Sequence, residues 1–371
     1  MPDVLVQDRS QLVSVCKELR EEPWLALDTE FVREQTYYAQ LCLVQVATAG
    51  RAICIDPLAL KDLAPVLDLI YSPRALKILH ASRQDLEVFY DQRGSPFRPV
   101  FDTQIAASLV GYDDQIGYAP LVKSTLGVKL PKHHTRADWT KRPLPQELLR
   151  YAADDVRYLP KLFDELSHRL AQLGRCEWLV EECARLTAPD LYDNSPENAY
   201  RRVKKGGTLA VNARNALRGL AAWRERTAQQ CNRPRNWILR DAVMIEISRT
   251  SPDSLAQLKR INGIGQATAR KWGEQILDVI REIGKTSVAP APRKTSRLDP
   301  LQSDLYGRLV ELVEQRARVH GISATLLATR RDLKALVLGN CNGPVLTGWR
   351  RDVVGQDLLA MLNAGTHTLP K

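Results

Sequence analysis

The sequence predicts a mixed α/β domain followed by two small all-helical domains. Strand signals fill the N-terminal half and almost vanish after about residue 208. The chain has 371 residues, which is too long for one ordinary hydrophobic core. A segment rich in Pro, Ala and Ser has the composition of a linker. These observations predict domains at 1–190, 208–286 and 298–371, with 287–297 as the linker.

The strands of the first domain are expected in two groups. Four apolar, β-rich runs come first, at 4–7, 24–32, 41–47 and 52–56. Short polar or Gly-containing connectors separate the last three, which favours antiparallel hairpins. Strand and helix then alternate, with strands at 76–80 and 100–102 and helices at 82–90 and 104–110. Because such alternation implies parallel pairing through crossovers, the order indicates an RNase H-like mixed sheet flanked by helices.

Helical periodicity dominates the rest of the chain. Pro145 opens a helix whose apolar residues recur at helical spacing. Helices are then predicted at 209–230, 241–247, 254–260 and 268–283, and after the linker at 301–318, 324–338 and 356–363. The sequence therefore predicts two helical blocks.

Charge and cysteine content narrow the functional classes. The net charge is +10, but residues 1–190 hold 23 Lys and Arg against 27 Asp and Glu, and residues 191–371 hold 30 against 16. A solvated surface is the plain interpretation, yet a basic half suits an enzyme that acts on a polyanion.

No apolar run approaches the ~20 residues of a membrane span, and the start lacks a secretory pattern, so the cytoplasm is expected. The seven cysteines include no CxxC pair, which predicts reduced packing residues.

Four acids and a tyrosine are the residues in the sequence that suggest a chemical site. Asp28 and Glu30 are two apart on a predicted strand and so share a face. Tyr151 and Asp155 are four apart on a predicted helix, and Asp85 lies on the helix after strand 76–80. Buried carboxylates need partners, either arginines or hard divalent cations such as Mg²⁺ or Mn²⁺.

These residues stand in motifs that resemble a known superfamily. Asp28-Thr-Glu-Phe31, His80-Ala-Ser-Arg-Gln-Asp-Leu-Glu-Val-Phe89 and Tyr151-x-x-x-Asp155 resemble the three motifs of DEDD exonucleases. Tyrosine at position 151 is typical of the tyrosine subgroup. The flanking Asp138-Trp139 and Arg142-Pro143-Leu144 are similar to one RNA-trimming branch.

The first helical block resembles an HRDC domain. It contains Leu220-Ala-Ala-Trp-Arg-Glu-Arg226 and Ile261-Asn-Gly-Ile-Gly265. The second block has no comparable signature, so the resemblance implies a divergent HRDC-like domain there.

The resemblance implies a 3′→5′ exonuclease that releases nucleoside 5′-monophosphates from RNA, with tRNA 3′ ends as substrates. It assigns Asp28, Glu30, Asp85 and Asp155 as ligands of two divalent metal ions, Mg²⁺ or Mn²⁺, and Tyr151 as the residue that orients water. No membrane association and no obligate protein partner is expected. A single-strand DNA exonuclease and a non-catalytic nucleic-acid-binding adaptor are the alternatives.

Substrate contacts are less sharply indicated. The candidates are Phe31, His80, Trp139, Lys141 and Arg142, each of which also has a purely structural interpretation. The stretch 132–142 mixes cations with one aromatic residue, as a single-strand contact loop does. The basic run 201–205 and the glycine-containing turn 261–265 are candidate phosphate contacts; a plain helix end would look similar to the latter. Asp102 is predicted to cap a helix, and Asp154 to be exposed or to pair with Arg150 or Arg157.

Overall fold

The computed structural model describes residues 2–131, 137–284 and 298–366. They form two compact units. Of the described residues, the first unit contains 2–32, 41–131, 137–191 and 298–366, and the second contains 33–40 and 192–284. The predicted linker and residues 132–136 lie outside the described residues. The domain boundaries expected from the sequence stay predictions.

A six-stranded mixed sheet organises the first unit. Its strands are β1 (Val4–Val6), β2 (Trp24–Val32), β3 (Gln40–Ala47), β4 (Ala52–Ile55), β5 (Leu76–Leu79) and β6 (Val100–Asp102). They lie in the order β1-β4-β3-β2-β5-β6. The β3–β4 pair is antiparallel, and β2–β5 and β5–β6 are parallel, which confirms the expected change from hairpin to crossover. The strand β2 lies inside the sheet, between β3 and β5.

Eight helices accompany this sheet. They are α1 (Arg9–Leu19), α2 (Ala64–Tyr71), α3 (Arg83–Arg93), α4 (Thr103–Leu109), α5 (Tyr118–Leu126), α6 (Gln146–Arg157), α7 (Leu159–Gln172) and α8 (Cys176–Leu186). Their ends follow local chemistry: Asp8 caps α1 by accepting from the Gln11 N–H, and α3 ends at Gly94, whose φ of +69° favours glycine. Leu148, Leu149, Ala152 and Val156 are the buried residues that the helical spacing of α6 predicts.

The second unit is helical. Its helices are α9 (Val211–Gln230), α10 (Arg235–Ile238), α11 (Asp241–Thr250), α12 (Leu255–Lys259) and α13 (Gln266–Gly284), preceded by 3-10 helices at Pro196–Arg202 and Gly206–Thr208. They enclose a separate core that includes Leu217, Trp223, Met244, Leu258 and Ile276. At Gly263, φ is +94° and a Cβ would meet the Val243 side chain at 2.6 Å, so this turn requires glycine.

The C-terminal helices belong to the first unit. They are α14 (Pro300–His320), α15 (Ala324–Leu327), α16 (Arg330–Val337), α17 (Gly348–Arg350) and α18 (Gln356–Thr366), with a π-helical turn at Arg351–Gly355. The single helix predicted at 324–338 is wrong: Ala328 is extended, and Thr329 begins α16 with a capping box to Asp332.

These C-terminal helices share one core with the α/β domain. Leu309, Trp349 and Leu358 lie in the same apolar cluster as Ala26 and Ile78. The rings of Trp178 and Trp349 stack with centroids 4.4 Å apart, and the Trp349 indole N–H donates to Glu182 at 2.8 Å. Arg350 also pairs with Glu182. The second helical block therefore completes the interior of the first unit.

Two further expectations concern the whole described chain. Within the described ranges, no helix combines the length and apolar character needed to cross a membrane. All seven cysteines are free thiols; Cys16, Cys42, Cys54 and Cys183 are buried, as packing residues are, whereas Cys176, Cys231 and Cys341 are exposed.

Candidate active site

The strand β2 presents two acids from the middle of the sheet. Asp28 and Glu30 are both partly buried and alternate with Thr29, which is 6% exposed. The Thr29 hydroxyl donates a hydrogen bond to the carboxylate of Asp85 in the first turn of α3. Asp85 is 7% exposed. One strand therefore supplies two acids and also fixes the orientation of a third.

The helix α6 adds the remaining predicted residues. Carboxylate oxygens of Asp28, Glu30 and Asp155 all lie within 4.8 Å of one another. The hydroxyl of Tyr151, one helical turn before Asp155, hydrogen-bonds to that carboxylate. The structure thus brings three of the predicted acids together with the tyrosine, while Asp85 is held on Thr29.

The acids of this cluster resist ionisation. Burial, followed by the charges of Asp85, Asp155 and Glu30, holds the pKa of Asp28 well above its usual range. Burial and the charges of Asp155 and Asp85 raise the pKa of Glu30 to about 8. Burial also raises the pKa of Asp85 and of Asp155 to about 7, although hydrogen bonds from Thr29 and Tyr151 act in the opposite direction. Negative charge at this site therefore needs a positive partner.

A divalent cation is the partner that the donor set fits. In the described part of the chain, none of the four acids forms an ion pair with Lys or Arg, so an arginine partner is not supported. The donors are carboxylate oxygens, which magnesium and manganese prefer over nitrogen or sulfur. Three of them converge within the 4.8 Å already described, a spacing that lets one ion contact more than one carboxylate.

A neighbouring buried acid stabilises the start of α3, the helix that carries Asp85. Asp102, 2% exposed, accepts hydrogen bonds from the N–H groups of Ala81 and Ser82, at 3.2 and 2.8 Å, and so holds the turn that starts α3. It also accepts from the N–H groups of Gln104 and Ile105, which confirms it as the cap of α4. Asp154 pairs with Arg157 at 3.5 Å, as one of the sequence interpretations proposed.

The candidate substrate contacts differ in their exposure and in their hydrogen-bond partners. His80 has protein partners on both ring nitrogens, the Thr103 hydroxyl at 2.9 Å and the Ile116 carbonyl at 3.0 Å. Trp139 is 5% exposed and lies 6.2 Å, centroid to centroid, from Tyr151. Phe31 is partly exposed, and the Lys141 side chain is 77% exposed.

Arg142 is committed to the protein interior. Its guanidinium donates to both carboxylate oxygens of the fully buried Asp56, at 2.6 and 2.7 Å, and to the Cys42 carbonyl at 2.8 Å. These bonds hold the segment that carries Trp139 against the sheet. As substrate contacts, this residue and the four others stay predictions.

Sequence reasoning missed Thr29, Asp56 and Tyr118. The Tyr118 hydroxyl donates to the Asp154 carbonyl and accepts from the Tyr158 N–H, so it holds the end of α6. The sequence does not identify their partners, which lie 36 to 86 positions away. One signal was available, since Thr29 is a polar residue inside an apolar strand.

Comparisons with known proteins agree with this geometry. A family model described as a 3′-5′ exonuclease matches residues 4–171, and an HRDC domain model matches 213–280. Ribonuclease D of Pseudomonas paraeruginosa is 38% identical to this chain over 366 residues, which cover 97% of each chain. Ribonuclease D of Granulibacter bethesdensis is 38% identical over 365 residues, which cover 97% of this chain and 92% of the Granulibacter protein. The crystal structure of Escherichia coli RNase D, described as an exoribonuclease involved in structured RNA processing, matches with a TM-score of 0.89 and 30% identity, over 97% of this chain and 98% of that one.

Proposed function

Because the chain belongs to the ribonuclease D family and is a 3′-5′ exoribonuclease, we propose that it removes nucleotides one at a time from RNA 3′ ends at the site formed by Asp28, Glu30, Asp85, Tyr151 and Asp155. The observation that carries this assignment is the convergence of Asp28, Glu30 and Asp155 without a cationic side chain to pair with them among the described residues.

The four carboxylates would hold two divalent ions, Mg²⁺ or Mn²⁺. When bound, such ions supply Lewis-acid stabilisation of the reacting phosphate and lower the pKa of a water molecule. The protein prepares for them by placing unpaired acids on a rigid strand and two helices. Thr29 keeps the Asp85 carboxylate from turning away, and Asp102 fixes the helix on which it lies.

Tyr151 is suited to orient the attacking water. Burial, followed by the negative charge of Asp155, raises the pKa of its hydroxyl, which therefore stays protonated at neutral pH. A protonated phenol donates one hydrogen bond and accepts another, so it can position water without taking up its proton. This role, the tyrosine subgroup and the release of nucleoside 5′-monophosphates are parts of the proposal.

The substrate class follows from charge. Most of the basic excess lies before the second helical block: residues 192–284 contain 17 Lys and Arg against 9 Asp and Glu, and 285–297 contain 4 against none, whereas 298–366 contain 8 against 7. Such a basic region attracts RNA in a salt-dependent way. We infer that the substrates are structured RNAs with a single-stranded 3′ end, tRNA precursors among them, and that the protein acts in the cytoplasm.

A labelling experiment tests this function. The protein is incubated with magnesium or manganese and 5′-labelled 3′-extended tRNA precursor, single-stranded RNA or single-stranded DNA. We expect stepwise shortening of the RNAs from the 3′ end and 5′-monophosphate products. The absence of a ladder on every substrate would refute the proposal, and a preference for DNA would replace it with the DNA exonuclease interpretation.

A further inference from the structure

The second unit exposes two aromatic side chains, and one of them lies beside a guanidinium. Trp237 in α10 is 58% exposed, and Tyr38 in the segment 33–40 is 39% exposed. The Arg233 guanidinium carbon lies 5.7 Å from the centre of the Trp237 ring, within the range of a cation–π contact. We name Tyr38, Arg233 and Trp237 the aromatic patch.

Hydrogen bonds fix the backbone that carries this patch. The side-chain carbonyl of Asn232 accepts from the N–H groups of Tyr37 and Tyr38, at 3.0 and 3.1 Å. Arg233 donates to the Gln35 carbonyl at 3.4 Å. Segment 33–40 is thereby held against the end of α9 with Tyr38 at the surface.

Tyr37 anchors the same segment from inside. Its hydroxyl donates to Glu225 and accepts from Arg235 at 2.9 Å and from Gln229 at 3.2 Å. An ordered segment presents a side chain at lower entropic cost than a flexible one does. The exposed rings are therefore preorganised for a ligand.

The surrounding charge selects the kind of ligand. Residues 33–40 and 230–240 together contain four arginines and one acid, Glu34. A polyanion with flat π faces fits both features, because bases stack on aromatic rings while arginines neutralise phosphates and add cation–π contacts. Single-stranded nucleic acid has this chemistry, and a neutral apolar protein surface does not.

We propose that the aromatic patch is a stacking site for single-stranded RNA, with a base on Trp237 or Tyr38 and with Arg233 beside it. The inference rests on the proposed function, since it supposes that RNA is the substrate. It adds an RNA contact in the second unit that does not depend on base sequence, separate from the carboxylate site. The segment 33–40, which carries Tyr38, directly follows β2 in the chain.

Equilibrium binding tests the proposal independently of hydrolysis. In an Asp155→Asn background, fluorescence anisotropy measures the affinity for labelled oligoadenylate. We expect Trp237→Leu to weaken binding about tenfold and Trp237→Phe to change it by less than about twofold, because only the Phe variant keeps an aromatic ring. Arg233→Gln should reduce the slope of log Kd against the logarithm of the salt concentration by about one.

The controls separate base stacking from a general loss of apolar surface or of folding. Leu301→Ala removes a 68% exposed apolar side chain from the first unit and should leave the affinity unchanged. Thermal melts verify that each variant is folded. Binding by Trp237→Leu equal to that of its parent would overturn the proposal and leave the patch as a surface for an apolar protein partner. Because the wild-type ladder assay tests the proposed function separately, a failure of one is distinguishable from a failure of the other.

Discussion

Two groups of acids, one in each unit, have opposite environments. In the first unit, Asp28, Glu30 and Asp155 lie together without a Lys or Arg partner among the described residues, and their pKa values are raised. In the second unit, Glu225 is buried, with its side chain 1% exposed. Burial alone would raise the pKa of Glu225, but hydrogen bonds from Arg235 and Tyr37 and the charge of Arg202 hold it below its usual range.

The difference separates an acid that serves stability from acids that serve chemistry. Glu225 receives two hydrogen bonds from Arg235, both at 2.7 Å, so its charge is satisfied within the fold. The β2 acids have no Lys or Arg partner among the described residues, and a divalent cation would supply the positive charge. Removing a paired acid should therefore destabilise the protein, whereas removing an unpaired one should abolish activity without loss of stability.

The largest expected effect is on catalysis. Asp155→Asn removes one of the three converging carboxylates and should lower the hydrolysis rate by about 10³-fold or more while RNA binding is retained. Single-turnover cleavage and anisotropy measure the two quantities. Asp154→Asn, which changes the neighbouring acid of the same helix, is the matched control and should stay active. Retained activity in Asp155→Asn would refute its role as a ligand.

The next largest effect is on stability. Glu225→Ala leaves Arg235, Arg202 and the Tyr37 hydroxyl without their shared acceptor and should lower the free energy of unfolding by about 3 kcal/mol. Urea denaturation measures the change. Glu246→Ala, on the surface of the same unit with a 3.9 Å ion pair to Arg249, should cost less than about 0.5 kcal/mol. Equal costs for both variants would show that the Glu225 cluster does not stabilise the fold.

A smaller effect should come from added cation. Magnesium at ten times its dissociation constant should raise the stability of the protein by about 1.4 kcal/mol, because it binds the folded acids and not the unfolded chain. The melting temperature at about pH 8 reports this, with Asp28→Asn as the comparison protein. If magnesium stabilises Asp28→Asn as much as the parent, the ions bind elsewhere.

The smallest effect concerns pH. With chelator present, stability should fall as pH rises from about 5 to about 8, because the folded-state pKa values of Asp85, Asp155 and Glu30, about 7, 7 and 8, exceed the values near 4 of an unfolded chain. Solvent screening of Asp155 and Glu30, which are only partly buried, reduces the size of this dependence. Glu225 acts in the other direction, since its lowered pKa makes stability fall as pH drops below about 4.

Urea denaturation across this pH range, in the parent and in Glu30→Gln, measures the dependence. A weaker slope in Glu30→Gln is expected. A parent slope of opposite sign would contradict the raised pKa values.

The sequence predicted the parts of this molecule that depend on local periodicity. Asp28 and Glu30 share a strand face, and Tyr151 and Asp155 share a helix face, because spacings of two and four residues determine those relations. The mixed sheet followed from the change in the order of strands and helices. The break at Ala328 escaped prediction because Thr329 and Asp332 form a capping box inside an otherwise helical pattern.

The sequence alone did not predict which residues far apart in the chain form pairs. Arg142 pairs with Asp56, 86 positions earlier, and Tyr37 with Glu225, 188 positions later. A polar residue in one motif does not identify its partner in another. For the same reason the sequence does not show that Trp178 and Trp349 stack.

The shared core of the first unit has a consequence for protein synthesis. Its buried residues run from Ala26 in β2 to Leu358 in α18, so the ribosome must have made α18 before this core can close. The core of the second unit ends at Leu277 and is available earlier. We expect the nascent chain to order its helical unit first, and the first unit to acquire its final interior only after α18 has been made.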